Sequence, residues 1–361
     1  MIGILIFSIN TNRIAGIPKE SQTFPKLLRS LEKKTWSVFI MNTSMNFKAK
    51  SQDILLPHTI LKFLLTYQCL ALILATTTAY SQETKSIPPP PIAFVVKPGM
   101  SEEGTVTSEW IGAIRQRHDE KALSAILASK KRLSKEEAQW AGLIKRKVST
   151  WLTMIDSLQI PFQAITPPDT VAILLGNLGG EDAFVYSDVT ICFDLNKLHS
   201  QYGSASTTDN SGRIDRFFAH EFTHLLHKAW RKKHGLELES PFEYALWECL
   251  TEGLGNYRSL SDKWILTGGK LTPHAQEVLL RLQPIFVKRL STLEHATAEE
   301  AAPLLEGLSI GPFDQKWGAL TIALWFAQEA KGDDHNLRPW VEAGPAGVLR
   351  LAQKYLPEDL K

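Results

Sequence analysis

The chain is expected to fold as an α+β, mostly helical domain from about residue 105 to its end, with a small mixed sheet placed early. Three observations point there. Long stretches on both sides of residues 161–194 repeat apolar residues at helical spacing, while 161–194 itself switches to short apolar runs punctuated by Gly and Pro. Composition is ordinary for a packed protein, at 44% hydrophobic and 22% charged residues. Cysteine is sparse, with 3 in 361 residues, so no disulfide framework replaces the core. A net charge of +2 without a dense basic stripe excludes nucleic acid and a membrane surface as expected partners.

The first stretch is read as leader rather than fold. Residues 1–44 are expected to be a non-structural or over-extended leader, and 45–81 a signal peptide. Phe63 to Ala79 is an apolar run preceded by Lys48, Lys50 and Lys62 and followed by the small-x-small site Ala79-Tyr80-Ser81. The mature chain is then exported, periplasmic or secreted, and not held in a membrane. Residues 82–104, with Pro88 to Pro91 and Pro98-Gly99, read as a Pro-rich linker or strap. Export would permit a bond between Cys192 and Cys249, but both lie in apolar surroundings that suit free thiols equally well.

Thr107 to about Ser129 reads as one helix, carrying Trp110, Ile111, Ile114, Leu123 and Ile126. A second runs from Ser134 to about Leu158, with Ser134 and Glu137 spaced as a capping box. Val171 to Leu175 is a short apolar run between Pro168 and Gly176, the pattern of a buried strand. Ala183 to Tyr186 and Val189 to Phe193 read as further strands.

Arg213 to Lys233 follows as a helix, with cap and turn residues Asp209 to Gly212 before it. Lys228, Arg231, Lys232 and Lys233 crowd its end, and Gly235 stops it. Pro241 to Leu260 is the next helix, with Ser240 as N-cap, Pro241 in the first turn and Glu243 as the box residue. Pro273 to Leu290, Ala298 to Leu308, Asp314 to Ala330 and Val348 to Tyr355 complete the helices. The third of these is apolar nearly all round and therefore buried.

The chemistry is concentrated in His220-Glu221-Phe222-Thr223-His224. Residues four apart share a helix face, so both imidazoles can reach one ion, and Glu221 falls beside it where it can act as a base on the ion's water. A catalytic zinc takes three protein ligands and leaves one position open. A third His six residues past His224 is excluded, because Trp230 stands there and His227 replaces the glycine of that longer pattern. A carboxylate on the following helix remains, from Glu243, Glu248 or Glu252. Gly253 and Gly255 remove bulk where two helices must approach closely around an ion.

Leu246-Trp247-Glu248-Cys249-Leu250-Thr251-Glu252-Gly253 resembles the W-x-x-x-x-E-G segment of the gluzincin zinc peptidases, and the likeness covers roughly Ala183 to Arg258. It implies one Zn²⁺ held by His220, His224 and Glu252, and Glu221 as general base; Glu248, on the same helix face one turn earlier, is the fallback ligand. The implied activity is hydrolysis of peptide bonds in a peptide or protein substrate. The resemblance also implies a zincin-like fold whose edge strand, Phe184 to Ile191, pairs with an extended substrate. Where many members carry an Asp that orients a ligand histidine, this chain has Asn256. A Tyr or His usually stabilises the oxyanion. Tyr257 is the residue selected, with Tyr244 and His295 as further candidates. His227 is expected to pack rather than ligate. The alternatives are a secreted metal-binding scaffold with little catalysis, and a hydrolase of non-peptide amides or esters.

Overall fold

The sheet that positions the site is four-stranded, in the order β1-β2-β4-β3. A computed structural model describes residues 92–361 apart from 102, 116 and 129–131. The expected leader, the signal peptide and most of the proline-rich stretch therefore lie outside the described residues. Strand β1 (Ala93–Pro98) pairs in parallel with β2 (Thr170–Gly176), β2 in parallel with β4 (Thr190–Asp194), and β3 (Ala183–Val185) antiparallel with β4. The α+β class holds, and helix dominates.

Two expectations are corrected here. The linker was to extend to residue 104, yet Ala93–Pro98 is an integral strand. A parallel strand is completed by a partner far along the chain, here Thr170–Gly176, which local composition does not register. The expected edge, Phe184 to Ile191, is also divided. Val185 and the residues before it form the edge β3, whereas Ile191 lies in β4, paired on both sides.

Alternation along the strands sends side chains to two helical layers. On one face Leu174, Phe184 and Cys192 pack with Trp110, Ala113 and Ile114 of α1 (Ser108–Arg115) and Leu123 of α2 (Glu120–Ala128). The single helix expected over 107–129 is thus two. Between them His118 Nε2 lies 2.9 Å from the Leu178 carbonyl, a tertiary contact that turns the chain. On the other face lie α3 (Lys135–Gln159) and α5 (Thr208–His234), with α4 (Leu195–Tyr202) inserted after β4. Trp151 of α3 stacks on Phe218 of α5 at 4.4 Å, and Phe94 and Phe193 of the sheet close around them.

Caps fix the helix ends. Ser134 and Glu137 form the reciprocal capping box of α3. Helix α5 begins earlier than expected, because Thr207 caps it through the Asn210 N–H. Asp209 to Gly212 therefore lie inside the helix. Gly235 ends it at φ 59°, a left-handed conformation that glycine adopts without strain. Helix α6 (Pro241–Ser259) is capped by Ser240 and lies between α5 and α9 (Ala319–Ala330). Gly253 permits that closeness, since a Cβ there would stand 2.5 Å from the Ile322 side chain. Helix α9 is buried from Ala319 to Ala327, as its composition requires. The remaining helices are α7 (Pro273–Leu293), α8 (Ala298–Leu305), α10 (Arg338–Glu342) and α11 (Pro345–Tyr355). Cys192 and Cys249 are buried free thiols. Among the described residues no helix is long and apolar enough to cross a membrane.

Candidate metal centre

Helices α5 and α6 bring His220, His224 and Glu252 together, with one ligand-type atom of each inside a 4.8 Å group. His220 Nε2 stands 3.5 Å from Glu252 Oε2, and His224 Nε2 3.3 Å from Glu252 Oε1. Tetrahedral ligands about 2.05 Å from a zinc ion would be about 3.3 Å apart, so the donor set and its spacing fit that ion. The three side chains are 14–18% exposed, so the site reaches solvent.

Glycine makes the approach possible. A Cβ on Gly255 would lie 2.9 Å from His220 Cε1 and 3.0 Å from both ring nitrogens. The imidazole therefore rests directly on the backbone of α6. Its Nδ1 meets Ser259 Oγ at 3.3 Å.

The charges respond to burial and to one another. Burial disfavours ionised Glu252, but His224 and His220 outweigh it and bring its pKa down to about 2. Burial likewise opposes a charged His220, yet its hydrogen bond to Glu252 and the charge of Glu221 raise its pKa. His224 is pushed down to about 4, first by burial and then by its cationic neighbours. Glu221, 7% exposed, is raised to about 7 chiefly by burial, with Glu252 adding to the effect and His220 opposing it. A carboxylate poised near neutrality can take a proton and return it.

Glu248 lies one helical turn before Glu252 but outside the three-ligand group. It accepts from Ser309 Oγ at 2.8 Å, and burial with the nearby Glu252 charge raises it to about 7. Lys316, on the segment facing α6, is a cation whose charge acts on His220, His224, Glu248 and Glu252 alike. Neither Ser309 nor Lys316 was read from the sequence, because their segment meets α6 only in the fold.

Two sequence assignments are displaced. Tyr257 donates to Asp334 Oδ1 at 2.9 Å, and Asp334 also pairs with Arg258. Five residues past Glu252 is about 140° round the helix, which takes Tyr257 away from the ligand face. Asn256 is buried, but the hydrogen-bond partner of His220 Nδ1 is Ser259 Oγ, and Asn256 Nδ2 has no partner. The His220 ring lies over Gly255, on the side of α6 that Ser259 shares and Asn256 does not.

Tyr244 is nearer to the ligand side, about 80° round the helix from Glu252. It lies two turns before Glu252, 36% exposed, and its hydroxyl pKa is raised by burial and by the charges of Glu248 and Glu252. His295 is 67% exposed and pairs with Glu294 at 3.3 Å. His227 packs edge-on between Phe162 and Trp247, as expected of a packing residue. Comparison of the chain with protein-family models, with curated proteins and with solved structures finds no match to any of them.

Proposed function

We propose that the chain is a zinc-dependent metallopeptidase with a zincin-like fold. His220, His224 and Glu252 would hold the ion, which would supply Lewis acidity and lower the pKa of a water at the open position. Glu221 would take a proton from the attacking water and return it to the leaving amine. Burial raises the proton affinity of Glu221 above that of an ordinary carboxylate. Tyr244, whose hydroxyl feels the charges of Glu248 and Glu252, is the candidate donor to the developing oxyanion. The antiparallel edge strand β3, which β4 and α4 separate from the helix that carries both histidines, offers unpaired backbone to an extended peptide.

The observation that carries the reading is the convergence of two imidazole Nε2 atoms and one carboxylate, with a buried carboxyl beside them in sequence and space. The engagement of Tyr257 with Asp334 favours the second reading, an exported scaffold that holds the metal without turnover. A metal-dependent hydrolase of non-peptide amides or esters would use the same residues.

Zinc content and cleavage of a mixed peptide library, measured on wild type and Glu221→Gln, decide between them. Equimolar zinc in both, with turnover at least 10²-fold lower in the variant, is expected for the loss of a general base. Zinc in both without cleavage in either would replace the peptidase by the scaffold or the non-peptide hydrolase. A wild type that takes up no zinc would end the metal reading.

A further inference from the structure

His220 is held from three directions by one face of α6. Glu252 lies at its Nε2, Gly255 lies under its ring, and Ser259 lies at its Nδ1. These residues are spaced i, i+3 and i+7, which returns to the same side of a helix. Their arrangement bears on a question the ligand set leaves open, namely which ring nitrogen carries hydrogen. A neutral imidazole has one donor nitrogen and one acceptor nitrogen. If Nε2 supplies the lone pair to a metal, Nδ1 must carry the hydrogen and needs an acceptor. Ser259 Oγ, 3.3 Å away, is that acceptor.

We infer that Ser259 is the positioning residue of the metal centre. It accepts from His220 Nδ1 and thereby holds the ring with Nε2 directed at the ion, while the missing side chain at Gly255 lets the ring seat against α6. The inference rests on the metal reading above. A serine holds the ring without adding a charge, unlike the carboxylate that often orients a ligand histidine. His220 is then a less basic ligand than it would be beside an Asp.

The geometry makes Gly255 and Ser259 complementary. A methyl group on residue 255 would have to displace the ring, since its nearest approach would be 2.9 Å to Cε1. A displaced ring would also leave Ser259. Substitution at either position should therefore weaken the metal through His220 alone, leaving His224 and Glu252 in place.

The test compares wild type with Ser259→Ala, Ser259→Thr and Gly255→Ala. Zinc affinity is measured by competition with a chromophoric chelator, and the cobalt-loaded visible spectrum is recorded beside it. The His220 Nδ1–H proton signal of the zinc-loaded protein is followed by NMR. Ser259→Ala should bind zinc about ten-fold more weakly or worse, in line with the loss of other groups that orient metal ligands. Its Nδ1–H signal should broaden as exchange with water speeds up. Ser259→Thr, which keeps a hydroxyl, should recover both the affinity and the signal, and Gly255→Ala should lose both. If Ser259→Ala matches wild type in affinity, spectrum and Nδ1–H signal while His220→Ala loses zinc, Ser259 has no positioning role and the metal reading stands. If wild type itself takes up no zinc, the metal reading falls and this inference with it.

Discussion

Replacing His227 should remove a specific acid sensitivity of the fold. His227 is 2% exposed, between the rings of Phe162 at 4.8 Å and Trp247 at 5.7 Å. Neither ring nitrogen makes a full hydrogen bond, and the Thr223 carbonyl one turn back gives only a weak backbone contact. Burial, joined by the nearby His224, pushes its pKa from 6.5 down to about 3. The unfolded chain therefore takes up a proton below pH 6.5 that the folded chain refuses until about pH 3. Stability tied to this residue is complete above pH 6.5 and falls, as pH drops, by up to about 1.4 kcal/mol per unit. Between pH 7.5 and pH 4.5 the loss comes to about 3 kcal/mol, a large share of the ~5–15 kcal/mol typical of a domain. Urea unfolding of wild type and His227→Leu at both pH values, with a chelator present to keep metal release out of the comparison, reads this difference directly. Wild type should lose about 3 kcal/mol more than the variant. At pH 7.5 the variant should be at least as stable, because leucine brings no unpaired polar atom into an apolar site. An equal acid-induced loss in both proteins would refute the reasoning.

The ligand assignment separates two neighbouring carboxylates: Glu252→Gln should abolish equimolar zinc, whereas Glu248→Gln, altering a group bonded to Ser309, should keep it. Metal content after dialysis checks this, and zinc lost from Glu248→Gln alone would move the third ligand by one turn. The two tyrosines should also part. Tyr257→Phe loses a hydrogen bond to Asp334 and should cost about 1 kcal/mol in stability with turnover kept. Tyr244→Phe should melt like wild type and lower kcat by 10²-fold or more if its hydroxyl meets the oxyanion, as judged from steady-state kinetics on a cleaved peptide.

Much of this architecture was legible because its signals are local. Ser134 with Glu137, Gly235, and Ser240 followed by Pro241 mark helix ends through hydrogen bonds a few residues long. The spacing of His220, Glu221 and His224 is likewise a property of one helix. What the sequence concealed is long-range. Strand β1 directly follows a proline-rich stretch that dominates the local composition, and its partner lies more than seventy residues further on. Asp209 to Gly212 look like a turn, but Thr207 caps the helix before them, and Asn210 bonds to the carbonyls of Tyr202 and Ser204 from inside it. Glu252 was accessible through the motif around it. Ser259 shares its helix face and could have been considered on spacing alone. The choice between Ser259 and Asn256 depends on the side of α6 over which the His220 ring lies, and Gly255 decides that only once α5 is packed against α6.

The central cluster invites comparison with an ordinary buried ion pair, which leaves more of its electrostatics unexplained than the proposed metal does. An ion pair needs one cation for Glu252, and His220, whose pKa is raised against the effect of burial by its hydrogen bond to Glu252, is the better suited of the two imidazoles to that role. His224 then has no such task. It stays uncharged at neutral pH, yet its Nε2 is held 3.3 Å from the same carboxylate. A second neutral imidazole aimed at an already paired carboxylate adds little to stability, whereas a structural cluster could have filled that position with an apolar residue. Glu221 and Glu248 compound the difficulty. Both are enclosed carboxyls raised to about 7, with Lys316 the cation shared by the ligands and Glu248. A divalent cation would account for all three features together. It would use the lone pair of His224, compete with a proton for His220, and add positive charge beside the surrounding carboxylates. Zinc binding should therefore release protons, and apparent affinity should fall as pH drops below the raised pKa of His220. Calorimetric titration in buffers of different ionisation enthalpy counts those protons. Zinc uptake without proton release at pH 6 would mean that His220 is not the paired cation, and no zinc uptake at all would return the cluster to the status of an ion pair with an idle histidine.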